Sequence, residues 1–167
     1  RFIIEIHLKK TTQKSNMIQR KQTVFLFFAI VFCIVSLLMP IAQWTPNNNM
    51  DMANVLFNLY IKDGNGTMNF ANAGLFALNS LSILLSLVGI FMYKNRKKQA
   101  KLCTINQLSL VIWYGYMVVL YWGYDPKYTF KPTFYIAFPL VALIFVFMAY
   151  KGIKADERLV KSLDRIR

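Results

Sequence analysis

The side chains able to do acid–base or nucleophilic chemistry are few and scattered. The acids are Glu5, Asp51, Asp63, Asp125, Asp156, Glu157 and Asp164, the histidine is His7, and the thiols are Cys33 and Cys103. General acid–base or covalent catalysis needs such groups within hydrogen-bond reach of one another. No HExxH, GxSxG or phosphate-binding glycine loop is present, and neither cysteine has a CxxC partner. The expectation is a non-enzyme with no catalytic residue, no cofactor and no metal site. Cys33 lies midway along one apolar run and Cys103 at the start of another, so the two are not expected to form a disulfide.

A regular polar spacing is more informative. Asn79, Ser82, Ser86 and Gly89 are separated by three, four and three residues, which puts them on one helix face. Small residues let helix backbones approach closely in lipid, and Asn or Ser can bond across, so this face is a candidate helix-packing seam. Asn106, Gln107 and Ser109 are positioned to meet it. The alternative use is a polar path for a solute, but that normally carries an ionisable group inside the membrane. Trp113, Tyr114 and Tyr116 fall mid-run and need hydrogen-bond partners there; core packing is preferred to a ligand pocket.

The elements that position these residues are four apolar runs, at about 23–44, 71–93, 102–122 and 133–150, with no Asp, Glu, Lys, Arg or His in any of them. Each is near the ~20 residues that span ~30 Å of hydrocarbon as a helix. The fold class expected is therefore all-α: a four-transmembrane-helix bundle forming a single domain over 17–167. The first run is too long for a typical signal-peptide core and lacks a good cleavage site. Pro40 sits near the end of the first run, and Pro139 is expected to kink the fourth helix or loosen its first turns.

Charge sets the expected orientation. The chain carries 20 Lys and Arg against 7 Asp and Glu. Six basic residues precede the first run, five lie at 94–101 and six at 151–167, leaving only Lys62, Lys127 and Lys131 elsewhere. The positive-inside rule then places both termini and the 94–101 loop in the cytoplasm. Basic residues interleaved with apolar runs suit a bilayer and its anionic headgroups at the cytoplasmic face, not nucleic acid.

The outer loops, 45–70 and 123–132, hold strand signals. Residues 55–61 and 67–70 flank the turn sequence Asp63-Gly64-Asn65-Gly66, which reads as a β-hairpin. Residues 128–133 are expected to add a strand, confined to an edge by Pro132. A small extracytoplasmic β-hairpin or sheet is expected to cap the bundle. Asn65-Gly66-Thr67 also matches a glycosylation sequon, a pattern common by chance. The tail 156–167 reads as a short cytoplasmic amphipathic helix, with Leu159, Leu163 and Ile166 on one face. Met17 reads as a start, which sets 1–16 apart as an N-terminal extension.

The two ends, MIQRKQTV from Met17 and GIKADERLVKSLDRIR from Gly152, together with the YKNRKKQAKLC segment between runs two and three, resemble the DUF4293 family. The resemblance covers 17–167 and implies a four-helix protein of the bacterial cytoplasmic (inner) membrane, from Bacteroidetes, with no assigned reaction. Recognisable ends beside an empty chemical inventory suggest a non-enzymatic accessory or scaffold subunit. It would contact a membrane-protein partner, or a second copy of itself, through Gln19, Arg20, Gln22, Asp156, Glu157, Arg158, Asp164 and Arg165. These residues would otherwise pair with one another beneath the bundle. A small-solute transporter or lipid-handling protein is the second reading.

Overall fold

The computed structural model of the chain describes residues 21–47, 52–93 and 95–164. It contains four long helices: α1 (Lys21–Leu38), α2 (Ala73–Phe91), α3 (Arg96–Gly123) and α4, within Phe138–Asp164. All four are long and apolar enough to cross a membrane. Their buried positions repeat with a four–three alternation. On α1 these are Gln22, Leu26, Ala29, Cys33 and Ser36; on α2, Leu75, Asn79, Ser82, Ser86 and Gly89. On α3 they are Gln99, Cys103, Asn106, Leu110, Trp113 and Met117; on α4, Ala142, Val146, Ala149, Ile153 and Asp156. A heptad-like seam of this kind is the pattern of helices packed in a left-handed bundle.

The helices form a ring in chain order. Asn79 of α2 reaches the Cys33 carbonyl of α1, and Ser82 of α2 bonds Asn106 of α3. Helix α3 packs against α4, and Phe28 and Phe32 of α1 stack on Phe145 of α4. Large apolar side chains point away from this ring on every helix, among them Phe27, Leu84, Leu108 and Ile144. An interior of small, polar and apolar side chains, with the large apolar ones turned outward, is the arrangement expected of helices solvated by lipid.

One end of the bundle carries a five-stranded antiparallel sheet in the order β4-β3-β2-β1-β5. The strands are β1 (Ala42–Pro46), β2 (Asn54–Leu56), β3 (Ile61–Lys62), β4 (Met68–Asn69) and β5 (Tyr128–Pro132). The expected hairpin is present as β3–β4, closed by the 63–67 turn, in which the Gly66 N–H donates to the Asp63 carbonyl at 2.8 Å. Gly66 has a φ of 83°, which favours glycine, and a Cβ on Gly64 would lie 2.4 Å from Met52 Cβ. Strand β5 is an edge strand, as Pro132 requires. Trp44 of β1 stacks on Tyr124 at 4.1 Å and joins the sheet to α3.

Four boundaries differ from the sequence expectation. Helix α1 ends at Leu38, not at 44, because Pro40 has no N–H to continue it, and Ala42–Pro46 becomes a strand. The stretch 55–61 is two strands joined by a tight turn, with the Phe57 N–H donating to the Tyr60 carbonyl at 2.9 Å. Helix α3 begins at Arg96, capped by the Asn95 side chain, so the basic 94–101 loop is mostly helix. The separate tail helix is instead a continuation of α4 through Gly152. Pro139 lies in the first turn of α4, preceded by a 3-10 turn at Phe134–Ala137, where a missing donor costs little.

Candidate functional site

Antiparallel neighbours stack the buried positions into layers, and the polar ones gather at three levels. Nearest the sheet, Asn58, in the turn between β2 and β3, enters the bundle. Its Nδ2 donates to the Ser36 carbonyl at 2.6 Å, and its Oδ1 accepts from Trp113 Nε1 at 2.9 Å. Asn58 and Trp113 are both fully buried. Two further aromatics of α3 also bond the backbone: Tyr114 donates to the Ile136 carbonyl at 2.7 Å and Tyr116 to the Ala71 carbonyl at 3.4 Å.

At mid-bundle, Asn106 of α3 bridges two serines of α2. Ser82 Oγ donates to Asn106 Oδ1, and Asn106 Nδ2 donates to Ser86 Oγ at 2.7 Å. Cys33 Sγ stands 3.7 Å from Ser82 Oγ. Ser82 has given its one proton to Asn106, so the thiol is the donor in that contact. Ser109 Oγ donates to the Leu78 carbonyl at 3.1 Å. The structure thus brings Asn79, Ser82, Ser86 and Gly89 to the interior, where all four are buried. Cys33 and Cys103 are free and buried.

The third level is the end away from the sheet. Gln22 Nε2 donates to Asp156 Oδ2 at 2.9 Å, joining α1 to α4, and both residues are buried. Arg96 of α3 donates to the Asp156 carbonyl at 3.2 Å, and Gln99 Nε2 donates to the Gly89 carbonyl of α2 at 2.9 Å. All four helices are therefore tied at this level. A Cβ on Gly152 would sit 3.0 Å from Gln22 Cγ, so the glycine lets α1 approach closely enough for the bond. A buried carboxylate is costly unless a donor faces it, and the Gln22 amide fills that role.

Of the eight expected partner-contact residues, Gln22 and Asp156 face each other inside the bundle. Arg158 is exposed, while half-buried Glu157 pairs with Lys161 at 3.1 Å. Gln19, Arg20, Arg165 and the side chain of Asp164 lie outside the described residues, as does the 1–16 extension. Sequence reasoning missed Asn58, Arg96 and Gln99. The four–three phase of α3, read backwards from Asn106 through Cys103, reaches Gln99 and would have found it.

Among the described residues, no three of His, Cys, Asp and Glu lie close enough to hold a metal ion. Four buried side-chain atoms among them lack a hydrogen-bond partner: Asn72 Nδ2 and Oδ1, Asn79 Oδ1 and Gln107 Nε2. Among the described residues the geometry is that of a helix-locking polar core.

Residues 18–166 match the family described as Domain of unknown function (DUF4293), and the chain belongs to that family. A comparison with curated proteins finds no match.

Proposed function

We propose that this DUF4293 protein is a non-enzymatic accessory or scaffold subunit of an assembly in the bacterial cytoplasmic membrane. In this reading both termini are cytoplasmic and the sheet lies outside. One observation carries the proposal: the polar side chains inside the bundle mainly bond one another or the main chain of a neighbouring element. Gln22–Asp156, Ser82–Asn106–Ser86 and Ser36–Asn58–Trp113 each join different elements. Groups used in this way make a rigid membrane body whose specific contacts fall to its ends. Exposed Arg158 and neighbouring Glu157, with the flanking basic residues, are the proposed contact surface. The orientation rests on seventeen of the twenty basic residues falling, in sequence, before the first span, between the second and third, or after the fourth.

The test is purification from native membranes in a gentle detergent, followed by quantitative mass spectrometry. The proposal expects one protein partner, or a second copy, at near-stoichiometric amount, weakened by Arg158→Glu. A monomer with no reproducible partner contradicts it. The second reading, small-solute transport or lipid handling, draws on Asn79 Oδ1 and Gln107 Nε2, which lack a hydrogen-bond partner within the bundle. It expects a solute-dependent flux in sealed vesicles that Asn79→Leu abolishes.

A further inference from the structure

A pocket of about 260 Å³ opens between α3 and α4 at the sheet-free end. Its cations are Lys97 and Lys101 on α3 and Lys154 on α4. Lys97, Lys101 and Thr104 recur at four and three residues, so they share one stripe of α3; Tyr150, Lys154 and Glu157 do the same on α4. Buried Ala100 forms the floor, and its small side chain leaves the space between the stripes. The Thr104 hydroxyl donates to the Ala100 carbonyl at 3.1 Å, which leaves the lysine ammoniums and the Tyr150 ring to meet a ligand. Lys154 Nζ already stands over that ring, 5.9 Å from its centroid. Among the described residues, the carboxylate in the lining is Glu157, which is paired with Lys161 outside it. Lys154 and Lys97 also act on Glu157, after Lys161, so among the described residues three ammoniums face the pocket against one acid.

The surroundings indicate which anion fits. Continued toward the sheet, the α3 stripe becomes Leu108 and Val111, and the α4 stripe becomes Phe147, all exposed and apolar. A charged pocket that runs into an apolar face matches a molecule with an anionic head and hydrocarbon chains. Lys151 lies 4.7 Å from the Phe147 ring centroid, at the same boundary between charge and hydrocarbon. We propose that this pocket binds the phosphate headgroup of an anionic phospholipid, whose acyl chains lie along the α3–α4 face. The inference rests on the membrane placement proposed above, with the basic end at the inner interface.

The experiment reconstitutes the full chain into nanodiscs of phosphatidylcholine with and without phosphatidylglycerol, then counts retained lipid by native mass spectrometry. Retention of phosphatidylglycerol over phosphatidylcholine is expected to fall about fivefold for each lysine changed in Lys97→Gln, Lys101→Gln and Lys154→Gln. The matched variants Lys62→Gln, Lys127→Gln and Lys131→Gln, near the sheet, are expected to leave it unchanged. Glu157→Gln is expected to raise retention, a gain that misfolding cannot imitate. Inorganic phosphate at millimolar concentration is expected not to displace the lipid. Equal retention of both lipids, insensitivity to the three pocket lysines, or displacement by phosphate alone would overturn the proposal. Failure of the wild-type chain to enter bilayers would instead overturn the membrane placement beneath it, and the two failures are distinguishable.

Discussion

Asn58 Nδ2 donates to the main-chain carbonyl of Ser36 at 2.6 Å, and that carbonyl lies four residues before Pro40. An uninterrupted helix would satisfy the Ser36 oxygen with the N–H of residue 40, which proline lacks. A turn between two strands thus repairs the end of α1 from outside the bundle. The fourth helix shows a counterpart. The 3-10 turn places the Phe138 N–H on the Tyr135 carbonyl, and the next bond, to Ile136, is denied by Pro139. The Tyr114 hydroxyl donates there instead. Each proline ends regular structure at the sheet end of the bundle, and each freed carbonyl is met by a side chain from another element.

Replacing Asn58 should therefore destabilise more than one hydrogen bond would suggest. Asn58→Leu leaves the Ser36 carbonyl and Trp113 Nε1 buried without partners, a loss of about 2–4 kcal/mol. Asn65→Ala, in the exposed turn, should cost less than about 0.5 kcal/mol. Thermal unfolding in detergent, followed by circular dichroism, compares the two. Equal stability of both variants would contradict the role given to Asn58.

The Gln22–Asp156 bond should appear as coupling. Gln22→Ala, Asp156→Ala and the double variant are expected to give an interaction energy of about 1 kcal/mol. Gly152→Ala should weaken the same contact by pressing on Gln22, and Gln22→Ala should relieve part of that loss. Additive effects across both cycles would show that α1 and α4 are not joined here.

Asn106→Leu removes the bridge between Ser82 and Ser86 and should cost about 1–2 kcal/mol. Adding Ser82→Ala and Ser86→Ala should restore part of the loss, because it removes the groups left unpaired. Urea or sodium dodecyl sulfate titration of the reconstituted protein reads both effects. A triple variant less stable than the single would contradict the bridge.

Tyr124, at the C-terminal end of α3, supplies a pH dependence. Burial pushes its phenol up from the ordinary value, against the Asn54 amide that donates to it at 2.7 Å. A raised folded pKa favours the neutral phenol in the folded protein. The stability it contributes is complete below the unfolded value of about 10 and is lost as pH rises through the folded one. Wild type should lose stability relative to Tyr124→Phe above about pH 10. Difference absorbance at 295 nm between the two should place the Tyr124 titration later than that of the exposed tyrosines. Parallel curves would contradict it.

The helix count was readable because hydropathy over twenty residues is a strong local signal, and the Asp63–Gly66 turn was readable because its residue types demand it. The seam of α2 was readable from spacing alone. The end of α1 was hidden because residues 41–44 carry no charge and include Ile41, Ala42 and Trp44, so the uncharged run continues past Pro40, and pairing of β1 with β5 joins residues far apart in sequence. Asp156 reads as the start of a cytoplasmic tail helix, since charge normally marks the end of a span. Its burial becomes legible only when the four–three phase of Ala142, Val146, Ala149 and Ile153 is carried one step further. Asn58 gave no local signal, because its partners come from α1 and α3.

The central claim, a membrane-crossing bundle with its sheet outside and its basic end inside, is tested most directly by thiol accessibility. Asn65→Cys and Ser162→Cys place single reactive thiols at exposed positions at the two ends, while Cys33 and Cys103 are buried. In intact cells stripped of their outer membrane, a membrane-impermeant maleimide should label the thiol at 65 and reach that at 162 only after permeabilisation. Equal labelling of both before permeabilisation, or the reverse order, would contradict the account.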